Sequence, residues 1–212
     1  ADLWRLLSAP TFRQAAATSF QIALFSGLLA VFASYALVRA RHAIALRTEA
    51  GFSLKAFLVL MGAGSSLVLL VPPVVLGSGW FLLLRPFGDV AALAPVIVAI
   101  INMLMSLPFT MRVIEPAFLS HDARTGRLSA ALGLRGLSRF RFVDWPVLWR
   151  PTATAFFFAM ALSLGDLGAV ALFGSENFVT LPWLVYSNMG SYRTQDAAGY
   201  AFILGVICLV LA

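Results

Sequence analysis

Few residues in this chain combine a type and a spacing that could do chemistry, and each stands nearly alone. Asp166 is the single charge in residues 151–175, with Gly165 and Gly168 beside it. A carboxylate in so apolar a run has two readings. It lines a path or an outer gate for a cationic solute, or it closes an ion pair or caps a helix near the outer interface. His42 and His121 are far apart in sequence and lack ligand spacing, so no metal site is expected. Cys208 is the one cysteine. It can form neither an internal disulfide nor a thiolate cluster, and an inert buried thiol is the simplest reading. GAGSS at 62–66 is not a nucleophile elbow, and no histidine sits in an apolar run to activate a serine; its small residues suit close helix packing. No GxxxxGK[ST] loop is present, so ATP hydrolysis would belong to another chain. No catalytic residue and no bound cofactor are expected.

The elements that must position these residues follow from charge spacing. The runs 14–38, 56–84, 90–111 and 197–212 carry no charge. A bilayer core ~30 Å thick needs about 20 apolar residues in a helix. The pattern predicts an all-α polytopic membrane protein with about five membrane helices, near 14–38, 55–84, 90–112, 151–173 and from Asp196 onward. Period-2 alternation is lacking, which argues against a β-barrel. Pro72, Pro73, Gly77 and Gly79 break the second helix, as a packing kink or as a break lining a pathway. Asn102 and Pro108 suit interhelical hydrogen bonding in the third. Glu115 and Pro116 are expected to close that helix at the cytoplasmic face. Residues 1–13 read as an outer lead-in. LPWLVYSNMGSY, within the outer segment 174–195, is expected against the membrane surface, where Trp and Tyr are favoured. The start without Met and the stop inside an apolar run suggest a piece of a longer polypeptide.

Of the fifteen Lys/Arg, four lie in 39–55 (Arg39, Arg41, Arg47, Lys55). Seven more lie in 112–150 (Arg112, Arg124, Arg127, Arg135, Arg139, Arg141, Arg150). The positive-inside rule makes the loops 39–55 and 113–149 cytoplasmic. The net charge of +6 is thus mainly an orientation signal, and no nucleic-acid motif accompanies it.

Residues 113–149 form too long an insert to be structureless. DARTGRLSAAL reads as a helix ended by Gly133, with Leu128, Ala131 and Leu132 as a small apolar face. Ser138 is a plausible N-cap for a second helix, and Pro146 would bend the chain into the next span. Helix, glycine turn, helix suits docking into a partner groove, or lying on the membrane surface through its arginines.

This stretch resembles the cytoplasmic signature loop of type I (MetI-like) ABC importer permeases, Glu-Ala-Ala, three residues, Gly, nine residues, Ile, one residue, Leu-Pro. Anchored on Gly133, the pattern puts Val143 at the Ile position and Pro146 at the Pro, with Trp145 in place of Leu. Arg127, Leu128 and Ser129 replace Glu-Ala-Ala, so Arg127 would need an acidic partner. LMSLPFTMRVIEP at 104–116 and the stretch SLGDLGAVALFGSENFVTLPWLVYSNMGSYRTQDAA at 163–198 are similar to the second half of fused permeases that import thiamine. Permeases for ferric iron are the nearest competitors. The resemblance implies a transport domain over 1–212, one half of a fused permease, in the bacterial inner membrane, with 113–149 as its coupling loop. It implies coupling of ATPase motion through a helix around 121–133, with contacts from Arg127, Leu128, Ser129, Ala130, Ala131, Gly133, Val143 and Pro146. Pro72, Asn102, Gly165 and Asp166 are candidates for a translocation pathway. The implied solute is thiamine or its phosphates. The implied partners are an ABC ATPase dimer that holds ATP and Mg, a periplasmic solute-binding protein, the other permease half and membrane lipid. An ion-driven secondary transporter is the lesser alternative, because such proteins place more ionisable groups inside their helices.

Overall fold

The computed structural model describes residues 3–45, 56, 70–87, 90–134, 136–173 and 178–211. GAGSS, the rest of 57–69, residues 46–55 and 174–177 lie outside the described residues. The order of elements begins Leu3–Ser8, Pro10–Ala45, Pro73–Leu84, a 3-10 turn Arg85–Phe87 and Val90–Ala131. Gly136–Arg139, a π-helical turn Phe140–Asp144 and Trp145–Gly165 come next. Val170–Phe173, Leu181–Gly190 and Thr194–Leu211 complete the chain. Among the described residues, four segments are long and apolar enough to cross a membrane: Pro10–Ala45 (the first helix), Ala92–Ala131 (within the central helix), Gly136–Gly165 (the return helix) and Thr194–Leu211 (the last helix). Pro73–Leu84 is a shorter apolar helix. The protein is an all-α, multi-pass membrane protein.

Helix lengths differ from the sequence expectation, because charge marks where the bilayer ends and not where a helix ends. The central helix has 42 residues, which at a rise of ~1.5 Å is about 63 Å, roughly twice the bilayer core. Glu115 and Pro116 do not close it; it continues through Pro95, Pro108 and Pro116. Each internal proline forfeits a backbone bond at a cost of ~3 kcal/mol, but packing on both sides of Pro116 offsets the loss. Phe118 buries with Val38, Leu107, Met111 and Leu148, and Glu115 Oε1 pairs with Arg41 at 3.0 Å. Residues 39–45 and 113–120, expected outside helices, are therefore helical, and the helix expected around 121–133 is a continuation of the central helix.

The outer surface, unlike that of a water-soluble bundle, is apolar, and polar side chains join the helices inside. Phe25, Leu28, Phe32, Phe202 and Leu209 face outward, while Ser19, Ser26, Ser34, Asn102, Thr110 and Ser163 are buried. In lipid, apolar surface gives helices no reason to associate, so close packing and interhelical hydrogen bonds must hold them. Ser34 and Thr110 join the first and central helices at 2.5 Å. Tyr35 and Thr152 join the first and return helices at 2.7 Å. Gly27 lets the first and return helices approach closely: a Cβ there would lie 3.1 Å from Met160 Cγ and 3.2 Å from Phe156 Cε2.

LPWLV packs into the protein along one face. Leu181, Pro182 and Leu184 are buried, the N–H of Leu181 donates to Ser19 Oγ at 2.8 Å, and Leu181 and Leu184 pack with Leu6, Phe12 and Tyr200. Its far side, with Tyr186, Met189 and Tyr192, stays exposed. Arg5 and Asp196, paired at 2.8 Å, tie the lead-in helix to the start of the last helix at the same end.

Candidate functional site

At the basic end, the central and return helices form a hairpin. The central helix stops because Gly133 adopts φ +68°. Leu134 N–H then reaches Ser129 O at 2.9 Å and Gly133 N–H reaches Ala130 O at 3.1 Å. This paired closure is the Schellman motif, which satisfies carbonyls a helix end leaves free. Gly136 also has positive φ, +59°, and the chain reverses between the two glycines. The expected helix, glycine turn and helix are present, with two differences. Ser138 lies inside Gly136–Arg139 and is not an N-cap. Pro146 sits in the first turn of Trp145–Gly165, behind a π turn closed by Trp145 N–H to Phe140 O, within a helical run and not at a break between helices. A proline at the start of an α segment sacrifices no bond that segment needs, and helical structure continues back through the π turn to residue 136, not starting near 151.

The signature-loop residues divide by exposure. Arg127, Leu128, Ala130, Ala131, Gly133 and Pro146 are exposed, and Val143 is half-buried. Leu132, Leu137 and Phe142 extend the exposed apolar tip. Ser129 is buried, its Oγ donating to Thr125 O at 2.8 Å. The tip thus offers leucine and phenylalanine to a partner, rimmed by arginines. Behind it lie the two histidines, in helices and not in loops. His42 Nε2 is 2.8 Å from Asp122 Oδ2 and His121 Nε2 is 3.1 Å from Asp144 Oδ1. Among the described residues, no group of three or more His, Cys, Asp or Glu is arranged to hold a metal.

Toward the other end, the helices enclose a polar node. Asn102 Nδ2 donates to Ser163 Oγ at 2.7 Å and points to Ser163 O at 3.4 Å. The carbonyl can only accept, which fixes the amide's orientation. Ser26 Oγ donates to the same Ser163 Oγ at 2.9 Å, so first, central and return helices meet at one hydroxyl. Asn102 Oδ1 is buried without a hydrogen-bond partner among the described residues. Asp166 is not inside a helix as the sequence suggests. It follows Gly165 with extended backbone (φ −79°, ψ 114°) and accepts Gly168 N–H on Oδ1 at 2.9 Å. Its Oδ2 is buried and without a hydrogen-bond partner among the described residues.

A cavity of about 420 Å³ lies along this node, with Asn102, Gly165, Asp166, Met105, Phe109 and Pro73 among its lining. The fold therefore brings Asn102, Gly165 and Asp166 together. Pro72 does not line the cavity; it caps Pro73–Leu84 from the exposed side. Cys208, half-buried at the cavity wall, directs its thiol at Ala161 O at 3.7 Å.

Sequence reasoning overlooked Ser26 and Ser163, although Ser19, Ser26 and Ser34 recur at helical spacing on one face of the first helix. It also overlooked Asp122, Arg139 and Asp144. No spacing rule links charges on different helices, so only the fold could pair them.

No family model matches the chain. It is 49% identical over 211 residues to the thiamine transport system permease protein ThiP of Brucella abortus, covering all of this chain and 37% of that protein. It is 39% identical to the protein of the same name from Escherichia coli, over 99% of this chain and 38% of that protein. A probable sulfate transport system permease protein of Chlorella vulgaris is 24% identical over 143 residues, covering 64% of this chain and 51% of that protein. The chain thus spans well under half the length of the thiamine permeases it matches, and along its whole length it is a relative of part of them.

Proposed function

We propose that this chain, a relative of part of the bacterial thiamine transport permeases, is a membrane domain of an ATP-driven ABC importer and carries thiamine or its phosphates across the inner membrane. The observation that carries the reading is the 49% identity along the entire chain. The hairpin geometry agrees with it. A partner ATPase dimer, holding ATP and Mg, grips the exposed tip formed by Arg127, Leu128, Ala130, Ala131 and Gly133, with Val143 and Pro146 at its base. Closure of that dimer moves the tip, and the long helices carry the motion into the membrane. Ser129 supports the tip from inside, where it is buried.

A solute-binding protein delivers cargo at the outer face, and a second permease half completes the pathway. Lipid covers the outward phenylalanines and leucines. Asn102, Gly165 and Asp166 line this chain's share of the route, and an acidic, hydrogen-bonding wall suits a cation with N–H donors. The likeness to a sulfate permease supports the same architecture for other small solutes.

The test is reconstitution of the complete transporter in liposomes, with radiolabelled thiamine as solute and ferric iron as control. ATP-dependent thiamine accumulation is expected. Uptake of ferric iron in its place overturns the solute assignment, and uptake driven by an ion gradient without ATP overturns the class. Capture of the ATPase by the permease should depend on residues 121–146.

A further inference from the structure

A lever needs a stiff joint, and the apolar core ends above the place where one is needed. The lowest apolar cluster at the basic end comprises Val38, Leu107, Met111, Phe118 and Leu148. Beyond it, Leu128, Leu132, Leu137 and Phe142 are exposed, and the tip turns on two glycines with positive φ. Apolar packing therefore does little to keep the two legs of the hairpin from splaying or sliding.

Charges occupy that level instead. Arg139, on the return leg, pairs through Nη2 with Asp122 Oδ1 on the central leg. Its Nε lies 3.5 Å from Asp144 Oδ1, a charge contact without full hydrogen-bond geometry. Asp144 is 2% exposed and meets His121 of the central leg, 5% exposed at its side chain, at 3.1 Å. Thr125 Oγ1 approaches the same imidazole at 3.3 Å. The other oxygen of Asp122 holds His42 of the first helix at 2.8 Å, and the adjacent Arg41 holds Glu115, about two turns before Asp122 on the central helix. Three helices are thus cross-linked at one level.

The π turn makes this possible. Arg139 and Asp144 are five residues apart. In an α-helix of 3.6 residues per turn that spacing leaves two side chains ~140° apart. The wider Phe140–Asp144 turn brings both to the inner face. Such turns cluster at functional positions. Buried ion pairs add little net stability over apolar packing, but they define geometry, because breaking one strands a charge.

We infer that Arg139, Asp122, Asp144, His121 and His42 form a joint of ion pairs and hydrogen bonds that locks the hairpin to the spans, so that force applied at the tip moves the membrane helices and does not bend the hairpin. They are positioning residues. The inference rests on the permease reading above.

The experiment uses the complete transporter, with its ATPase and binding protein, in liposomes. It measures thiamine carried per ATP hydrolysed, normalised to assembled complex. Asp144→Asn removes a charge at constant shape, and Arg139→Gln replaces the guanidinium with a shorter neutral amide. Each is expected to lower the thiamine-to-ATP ratio at least fivefold while basal ATP hydrolysis stays within twofold of wild type. A role confined to folding would reduce the amount of complex and leave the ratio intact. A ratio lowered less than fivefold in the variants that assemble overturns the joint. So does failure of both variants to assemble, since the cluster is then a folding requirement. A wild-type complex that moves no thiamine removes the parent reading instead, whatever the variants do.

Discussion

Replacing Gly133 separates the turn's geometry from its chemistry. The residue has φ +68°, and a Cβ built on it would meet nothing within 4 Å. The first added carbon therefore meets no atom of the described residues. Its intrinsic cost is the left-handed backbone, ~1–2 kcal/mol for an ordinary L-residue, which shifts the turn's equilibrium by a factor of about 5–30. Gly133→Val bears this cost in full, being β-branched, whereas Gly133→Asn bears least because asparagine tolerates that region. With so small an effect, both variants should insert and assemble, with melting temperatures in detergent lowered by only a few degrees. Binding-protein-stimulated ATP hydrolysis in liposomes should then divide them, with stimulation lost in Gly133→Val and largely kept in Gly133→Asn. Normal stimulation in an assembled Gly133→Val complex would refute the idea that this turn presents the hairpin to its motor. Equal loss in both variants would move the cause from backbone geometry to direct contact at the glycine surface.

Other outcomes follow from the same geometry. Asp166→Asn should raise the KM for thiamine uptake about tenfold or more, the scale of one charge-assisted hydrogen bond, with basal ATP hydrolysis unchanged; unaltered uptake kinetics would take Asp166 out of the pathway. Gly27→Leu forces a side chain into Met160 and Phe156, which stand only 3.1 Å and 3.2 Å from the first added carbon. Overpacking of that kind costs ~1–3 kcal/mol and should show as a lower melting temperature in detergent. Ser26→Ala removes one donor from the node at Ser163, and a loss of about 0.6 kcal/mol, the average for hydrogen bonds inside membranes, is expected in a denaturation assay. Arg5→Ala breaks an exposed pair at the outer end and should change stability by less than ~1 kcal/mol, an effect that salt diminishes further.

The sequence by itself determined the membrane class and the hairpin. Charge-free runs mark what lipid can hold, a property of transfer from water that needs no neighbour. It also determined the turn, because a left-handed backbone selects glycine at 133 wherever the helix is placed. Three matters only the tertiary structure decided. The central helix passes Glu115 and Pro116 because Arg41 and Phe118 hold it from either side, although local propensity argued for a stop. LPWLV sinks between the first and last helices because Ser19 supplies its hydrogen bond. The two histidines, isolated in sequence, each face an aspartate at a helix junction. A local pattern reports the cost of each residue in its own segment. It cannot report which distant group offsets that cost, and in a membrane, where helices are held by a few polar contacts and small residues, those distant groups decide where helices end and which side chains meet.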